Sequence, residues 1–342
     1  MTTIAYLKST LTLDKIKNTI NESIVVIFLL GVYNFLPYYI DFLGSEATII
    51  LNSIAIIYLV FCWFQTFTTK EQTHLRFYLL YDIVSNIFYK YFILKIPDQK
   101  KIKIIPEHKT KDLLFLFVKM FYIPVMLSFT VYNWNLVKNT VAFVTGIKNM
   151  DIPLYYWYSL ITSVLFFIDT SFFLFGYLIE SKKLNNTVRS VDTSFVSWIF
   201  TLACYPPFNA ITTDYFPWNI DDEKLILPFT LNYILLIVAL IAYAIYVSAT
   251  ISLGSKCSNL TNRGTVKRGP YKFVRHPAYA SKVFAWWILT IPVMNGITFF
   301  ALIMWTIIYI VRAIKEEDHL LRDPEYQNYF QKTPYRFIPK IL

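Results

Sequence analysis

Residues 228–251 read PFTLNYILLIVALIAYAIYVSATI, and no charged side chain interrupts them. A bilayer's hydrocarbon core takes ~20 apolar residues to cross as a helix. In lipid the backbone must satisfy its own N–H and C=O groups, so a run of this kind has to be helical. That decides the fold class: all-α, a polytopic membrane helical bundle. The composition agrees, with 56% apolar, 19% aromatic and only 16% charged residues in 342. A soluble domain has roughly 45–50% apolar and about 25% charged residues. Disorder, collagen-like repeats and most water-soluble enzymes are excluded.

Upstream of this run, comparable stretches lie at 23–43, 47–67, 112–133, 154–179 and 194–213. Downstream, two shorter ones at 279–293 and 297–312 are joined by Asn295-Gly296 and read as a tight helical hairpin. At 1.5 Å per residue each of these reaches only ~23 Å, so they pair in a thinned membrane or start partly outside it. The expectation is about eight transmembrane segments ending in that short hairpin. Residues 75–96 are read differently. Leu80, Ile83, Val84, Ile87, Tyr91 and Leu94 share one face, and Asp82, Ser85, Asn86, Tyr89 and Lys90 the other. That pattern predicts an interfacial amphipathic helix. Lys8, Lys15 and Lys17 precede the first apolar run, which therefore reads as a span rather than a signal peptide.

The net charge is +10, from 32 basic and 22 acidic residues. With eight crossings, 29 of the 32 lysines and arginines fall on one side, leaving Lys138, Lys148 and Lys224 on the other. The opposite loop is acidic, with Asp214, Asp221, Asp222 and Glu223. The positive-inside rule then places both termini in the cytoplasm. The basic excess is topology and implies no nucleic-acid partner. Cys62, Cys204 and Cys257 are too scattered for a disulfide framework or a metal cluster, and no metal site is expected.

The least lipid-like stretch is 252–282, SLGSKCSNLTNRGTVKRGPYKFVRHPAYASK. Its glycines and prolines predict a shaped loop. It carries Arg263, Arg268, Arg275 and His276 beside Tyr271 and Tyr279, and the hairpin returns Glu316, Glu317, Asp318 and His319 to the same face. Such a pocket suits a charged, nucleotide-like cofactor. An arginine can take a ligand carboxylate in bidentate contact, and Glu316 or Glu317 a ligand ammonium or ribose hydroxyls. Neighbours on a helix point about 100° apart, so one of the two glutamates faces the pocket. Neither phosphate-cradling glycine motif is present.

Gly269-Pro270-Tyr271, Val274-Arg275-His276-Pro277 and Tyr279, then Glu316-Glu317 one hairpin later, resemble the isoprenylcysteine carboxyl methyltransferase family. Its wider relatives are membrane phospholipid methyltransferases. The ending Pro334-Tyr335-Arg336-Phe337-Ile338-Pro339 is similar too, so the resemblance covers about residues 253–340. One departure is Ser281-Lys282, where relatives commonly have a glycine for close helix packing. The resemblance implies an integral membrane enzyme using S-adenosylmethionine on a hydrophobic or lipidated acceptor that enters from the bilayer, such as an isoprenylcysteine carboxylate. It implies a cofactor pocket of Gly269, Tyr271, Val274, Arg275, His276, Pro277, Tyr279, Glu316 and Glu317. Arg275, His276 and Glu317 are the expected catalytic groups, with Glu317 preferred over Glu316. Residues 1–251 would form the substrate-facing helices and 252–342 the cofactor-binding region. Sterol reductases share a similar ending and make a nicotinamide-dependent oxidoreductase the enzymatic rival. A transporter or scaffold is the non-enzymatic one.

Two features lie outside that pattern. Asp169 falls inside the fourth apolar stretch, where a carboxylate is costly and marks a functional site by default. It is either a contact to a polar group of the substrate or a carboxyl buried between helices and bonded to a neighbouring Thr, Ser or Tyr. Tyr205-Pro206-Pro207 interrupts the fifth stretch as a kink or as the wall of a cavity.

Overall fold

A computed structural model describes residues 13–68, 77–88, 107–146, 154–210 and 228–341. The elements run α1 (Leu13–Phe35), α2 (Pro37–Thr68), α3 (Tyr78–Phe88), α4 (Glu107–Gly146), α5 (Leu154–Leu178), β1 (Ser190–Val191) and α6 (Phe195–Leu202). Then follow α7 (Phe229–Leu253), β2 (Thr261–Asn262), α8 (Pro277–Thr290), α9 (Gly296–Leu320) and α10 (Pro324–Lys332). Six helices among the described residues, α1, α2, α4, α5, α7 and α9, are long and apolar enough to cross a membrane.

The chain divides after Pro124 into two compact units. In the first, the helical run is interrupted twice, at Leu36-Pro37, where α1 ends, and at Gly44, between 43 and 47 as the apolar runs suggested. Proline has no N–H to donate and disfavours the helical conformation of the residue before it, so it ends α1 and sits at the start of α2. Gly44, with φ 65° and ψ 176°, is non-helical and divides α2 into two helical pieces. Polar pairs tie α1 to α2. Asn34 and Asn52 exchange amide hydrogen bonds at 2.9 and 3.0 Å, and the Thr19 and Thr66 hydroxyls meet at 2.7 Å. Buried Glu22 accepts from the Tyr58 hydroxyl and from the Tyr78 backbone N–H at 2.7 Å. The helical part of the expected interfacial segment is 78–88, and residues 75–76 and 89–96 lie outside the described residues.

In the second unit α7 is central, with α5 and α8 packed against it. Ala242 and Tyr243 of α7 meet Ala285 of α8, and Leu165, Phe166 and Leu289 pack against them. Two alanines let these backbones approach closely, so Ser281-Lys282 does not prevent tight packing of α8. A Cβ on Gly176 of α5 would run into the Cys257 carbonyl, so only glycine allows the loop after α7 to sit there. The strand pair β1–β2, with Ser190 opposite Asn262 and Val191 opposite Thr261, joins the loops that follow α5 and α7.

The expected fifth stretch is helical over the 8 residues of α6, which ends at Leu202, and again over 208–210 after Tyr205-Pro206-Pro207, while 211–213 lie outside the described residues. The hairpin is as anticipated but unequal. α8 has 14 residues and α9 has 25, so α9 extends well beyond 297–312. Asn295 caps α9, exchanging hydrogen bonds of 2.9 Å with Thr298 in a capping box. The cap fixes the register that delivers Arg312, Glu316, Glu317 and His319 to the loop end of the bundle.

Candidate functional site

The loop between α7 and α8 is set by its glycines. Gly269 has φ 60°, and a Cβ there would collide with the Ser252 side chain, so the chain can turn back onto the end of α7 only with glycine. Beyond it, the backbone N–H groups of Arg275 and His276 donate to the carbonyls of Tyr335 and Arg336, both at 2.9 Å. The Tyr329 hydroxyl donates to the Tyr271 carbonyl at 2.7 Å. The C-terminal tail is thereby laid along the loop.

Glu317 is the hub of the cluster. One oxygen takes Arg275 Nε at 2.7 Å and lies 3.1 Å from His276 Nε2. The other takes Arg336 Nε and Nη2 at 3.0 and 2.7 Å. Arg275 also donates Nη1 to the Thr333 and Pro334 carbonyls at 2.9 and 2.6 Å, and its guanidinium lies 4.1 Å over the Phe330 ring. Glu317 raises the proton affinity of Arg336, holding that guanidinium above its ordinary value. Burial pushes the Tyr271 phenol well up, so it stays neutral.

Beside this hub lies a polar cavity of about 150 Å³. Of the expected residues, Tyr271, Arg275, His276, Tyr279 and Glu316 line it. Gly269, Val274, Pro277 and Glu317 do not. It is Glu316 that faces the cavity, taking the Tyr279 hydroxyl at 2.6 Å, whereas Glu317 points a helical step away into the arginines. Ser258 Oγ and Thr261 Oγ1 are buried at the wall with no hydrogen-bond partner among the described residues. Asp192 and His319 also line the cavity, and His319 Nε2 lies 2.9 Å from Ser190 Oγ.

On the other side of Tyr279 and Tyr309 is an apolar groove of about 950 Å³. Ile241 and Ile245 of α7, Phe284 and Trp287 of α8, Ile310 of α9, and Phe337 and Ile338 of the tail line it. Val274 and Pro277 belong here rather than to the polar cavity. The two tyrosines are thus shared by a polar space and an apolar one.

Residues 229–323 match the isoprenylcysteine carboxyl methyltransferase family. The matched segment begins with α7 and ends at Asp323, the cap of α10, so it contains the loop, α8 and α9. No curated protein and no solved structure matches the chain.

Several lining groups were not singled out by sequence. Arg312 stands four residues before Glu316, a spacing that on an exposed helix gives a surface pair. Instead it is buried, donates to Asn259 Oδ1 at 2.7 Å, and lies over the Tyr279 ring at 5.0 Å. Its signal was there: seven residues after Trp305 on one face of an apolar helix, it had no reason to be in water. Asp192 and Asn259 carried no comparable signal. Asp169 is buried between helices, accepting from Tyr246 at 2.6 Å and Thr250 at 2.5 Å. It also lines a second cavity with Tyr205 and Lys282. Among the described residues no group of His, Cys, Asp and Glu could hold a metal ion.

Proposed function

We propose that this chain is an integral membrane methyltransferase that uses S-adenosylmethionine and takes a hydrophobic, isoprenylcysteine-like carboxylate acceptor from the bilayer. The observation that carries the reading is the shared wall of Tyr279 and Tyr309, with a polar cavity on one side and an apolar groove on the other. A group-transfer enzyme for a lipid needs that junction, because a polar donor and an apolar acceptor must meet without either leaving its own solvent. The family match over 229–323 takes in α7, the loop, α8 and α9, which supply much of the lining of both spaces, and supports the chemistry.

The polar cavity fits an amino-acid-bearing nucleoside. Ser258 Oγ and Thr261 Oγ1 are buried there without partners, a cost that a ligand's polar groups would relieve. Glu316 and Asp192 offer carboxylates to an ammonium or to ribose hydroxyls. Arg275 and His276, braced by Glu317, present their remaining edges. When bound, the cofactor supplies a methyl group on a positively charged sulfur. A carboxylate acceptor is ionised at neutral pH, so the chain need not remove a proton. The work left to the protein is alignment and exclusion of water. Arg275 and His276 hold the cofactor, Glu317 positions them both, and the tail closes over the loop.

The topology follows the same logic. The β1–β2 pair ties the end of α5 and the end of α7 to one face. The chain between them must therefore cross to reach the start of α7, although α6 alone is too short. The hairpin of α8 and α9 goes out and returns, since Glu317 meets Arg275. These crossings support eight in all, with α3 in the interface and both termini on the cytoplasmic side with the basic loops. The functional division is 1–251 for the acceptor and 252–342 for the cofactor, with Asp192 and the end of α7 added to the latter's walls.

The test is incubation of the purified protein in nanodiscs with methyl-labelled cofactor and an S-isoprenyl cysteine acid. Base-labile label in the lipid product is expected. Absence of transfer together with oxidation of a reduced nicotinamide would instead establish the reductase.

A further inference from the structure

Lys282 lies on α8 one and a half turns from its start, and its side chain lines both the polar cavity and the second cavity of about 240 Å³. Its ammonium is 5.4 Å from the Tyr246 and Trp286 ring centres and 6.0 Å from that of Tyr309. Among the described residues no hydrogen bond or ion pair to it is formed, and Asp169 acts on it only through its field. The nearby carboxylate, Asp169, has one oxygen taken by Tyr246 and the other by Thr250. Arg312 enters the same aromatic box from α9, over Tyr205, Tyr279 and Tyr309, with the neutral Asn259 side chain as its hydrogen-bond acceptor.

Lys282 and Arg312 thus face the polar cavity together, and Lys282 also reaches the second cavity, where the one lining carboxylate, Asp169, has its lone pairs directed at hydroxyls. Aromatic faces moderate a buried cation but do not replace an anion. A buried charge without its counter-charge is costly, and such a cost persists where a ligand relieves it. An anionic group placed against Lys282 would supply that counter-charge. The polar cavity that Lys282 and Arg312 line shares Tyr279 and Tyr309 with the apolar groove, where a lipid chain fits.

We propose that Lys282, with Arg312 beside it, receives the carboxylate of the methyl acceptor and so selects anionic over neutral or amine-bearing lipids. The proposal rests on the methyltransferase reading for its acceptor, but the binding can be measured without turnover. Lys282 is a positioning residue that orients the acceptor's oxygen and moves no proton.

The probes are an S-isoprenyl thioether ending in a sulfonate, which cannot accept a methyl group, and its neutral amide analogue. Binding of each is measured to wild type, Lys282→Met and Lys282→Arg in nanodiscs, with cofactor binding and thermal unfolding alongside. Loss of a hydrogen bond to a charged group corresponds to a ~10- to 100-fold weaker sulfonate affinity in Lys282→Met. The amide should bind as to wild type, and Lys282→Arg should recover most of the sulfonate affinity. In turnover the same loss should appear in KM for the acid rather than in kcat. Unchanged sulfonate affinity, or equal losses for sulfonate and amide, would overturn the proposal. Lysine-dependent sulfonate binding by a protein that transfers no methyl group would keep the anion site and discard the methyltransferase.

Discussion

Glu22 in the first unit and Lys282 in the second are both charges sunk among apolar helices, and they are treated in opposite ways. Glu22 is closed in, its oxygens taken by the Tyr58 hydroxyl and the Tyr78 N–H. Lys282 is open to two cavities and has aromatic faces instead of a partner. A buried charge satisfied by its own neighbours joins helices. One that lines a cavity is placed to meet whatever enters it. Glu317 stands between the two, since it is closed in like Glu22 yet its partners Arg275 and His276 line the polar cavity.

The comparison is most exposed at Glu317. Its side chain is 3% exposed and receives two arginines and a histidine. Removing one partner of a buried pair costs about 3–5 kcal/mol because the other charge is left uncompensated. Glu317→Ala should lower the unfolding midpoint and abolish cofactor binding together, while Glu317→Gln, which keeps the shape, should lose less of both. The readouts are thermal unfolding in detergent and calorimetric cofactor titration. Wild-type stability in Glu317→Ala would show that the hub braces nothing.

Glu22→Gln is the control for a purely structural charge. It weakens one charge-assisted contact at the junction of α1 with Tyr58 and Tyr78, a loss of about 1–3 kcal/mol. The unfolding midpoint should fall while the cofactor affinity of the folded protein stays the same. A change in that affinity would erase the distinction between closed and open charges.

Much of this was legible in sequence, for identifiable reasons. Long uncharged runs such as 228–251 can be only helices in lipid, so the fold class and the long helices followed. The Gly269 turn and the Arg275-His276 pair were visible because glycine and paired polar groups are rare in such a chain. What periodicity could not supply was depth. Arg312 looked like a surface residue because its partner Asn259 is 53 positions away. Adjacent Glu316 and Glu317 differ by one helical step, and only the placement of α9 decides which meets the cavity. The early break at Leu36 was hidden because apolar residues continue across it, although Pro37 was the physical cause in plain view.

Tyr279→Phe makes a smaller change at the boundary between the two spaces. It deletes the hydroxyl that donates to Glu316 at 2.6 Å and leaves the ring packed on His276, with centroids 5.3 Å apart. Freed from that bond, Glu316 loses its fixed orientation in the cavity. Cofactor affinity should drop about tenfold, the scale of one hydrogen bond to a charged group, with little change in unfolding. If the midpoint falls and affinity holds, Tyr279 is a packing residue like Tyr58.

The smallest effect belongs to a charge that is neither closed in nor facing a cavity. Asp323 takes Arg189 Nη1 and Asn262 Nδ2, each at 2.9 Å, and so pins the loop after α5 to the start of α10. Partial burial pushes its carboxyl up, but the Arg189 guanidinium, the Glu325 N–H and Asn262 together outweigh that and hold it below its usual value. A carboxylate depressed in the folded state adds stability above its unfolded value of about 3.9 and loses it as pH falls through the folded one. Arg189 is 40% exposed, so solvent screening limits the pair to about 1 kcal/mol at most. Asp323→Asn should unfold slightly earlier than wild type at pH 7, and the gap should close below about pH 4 and shrink in salt. A gap independent of both would mean that the Arg189 ion pair was not the part that mattered, and that shape rather than charge holds this loop in place.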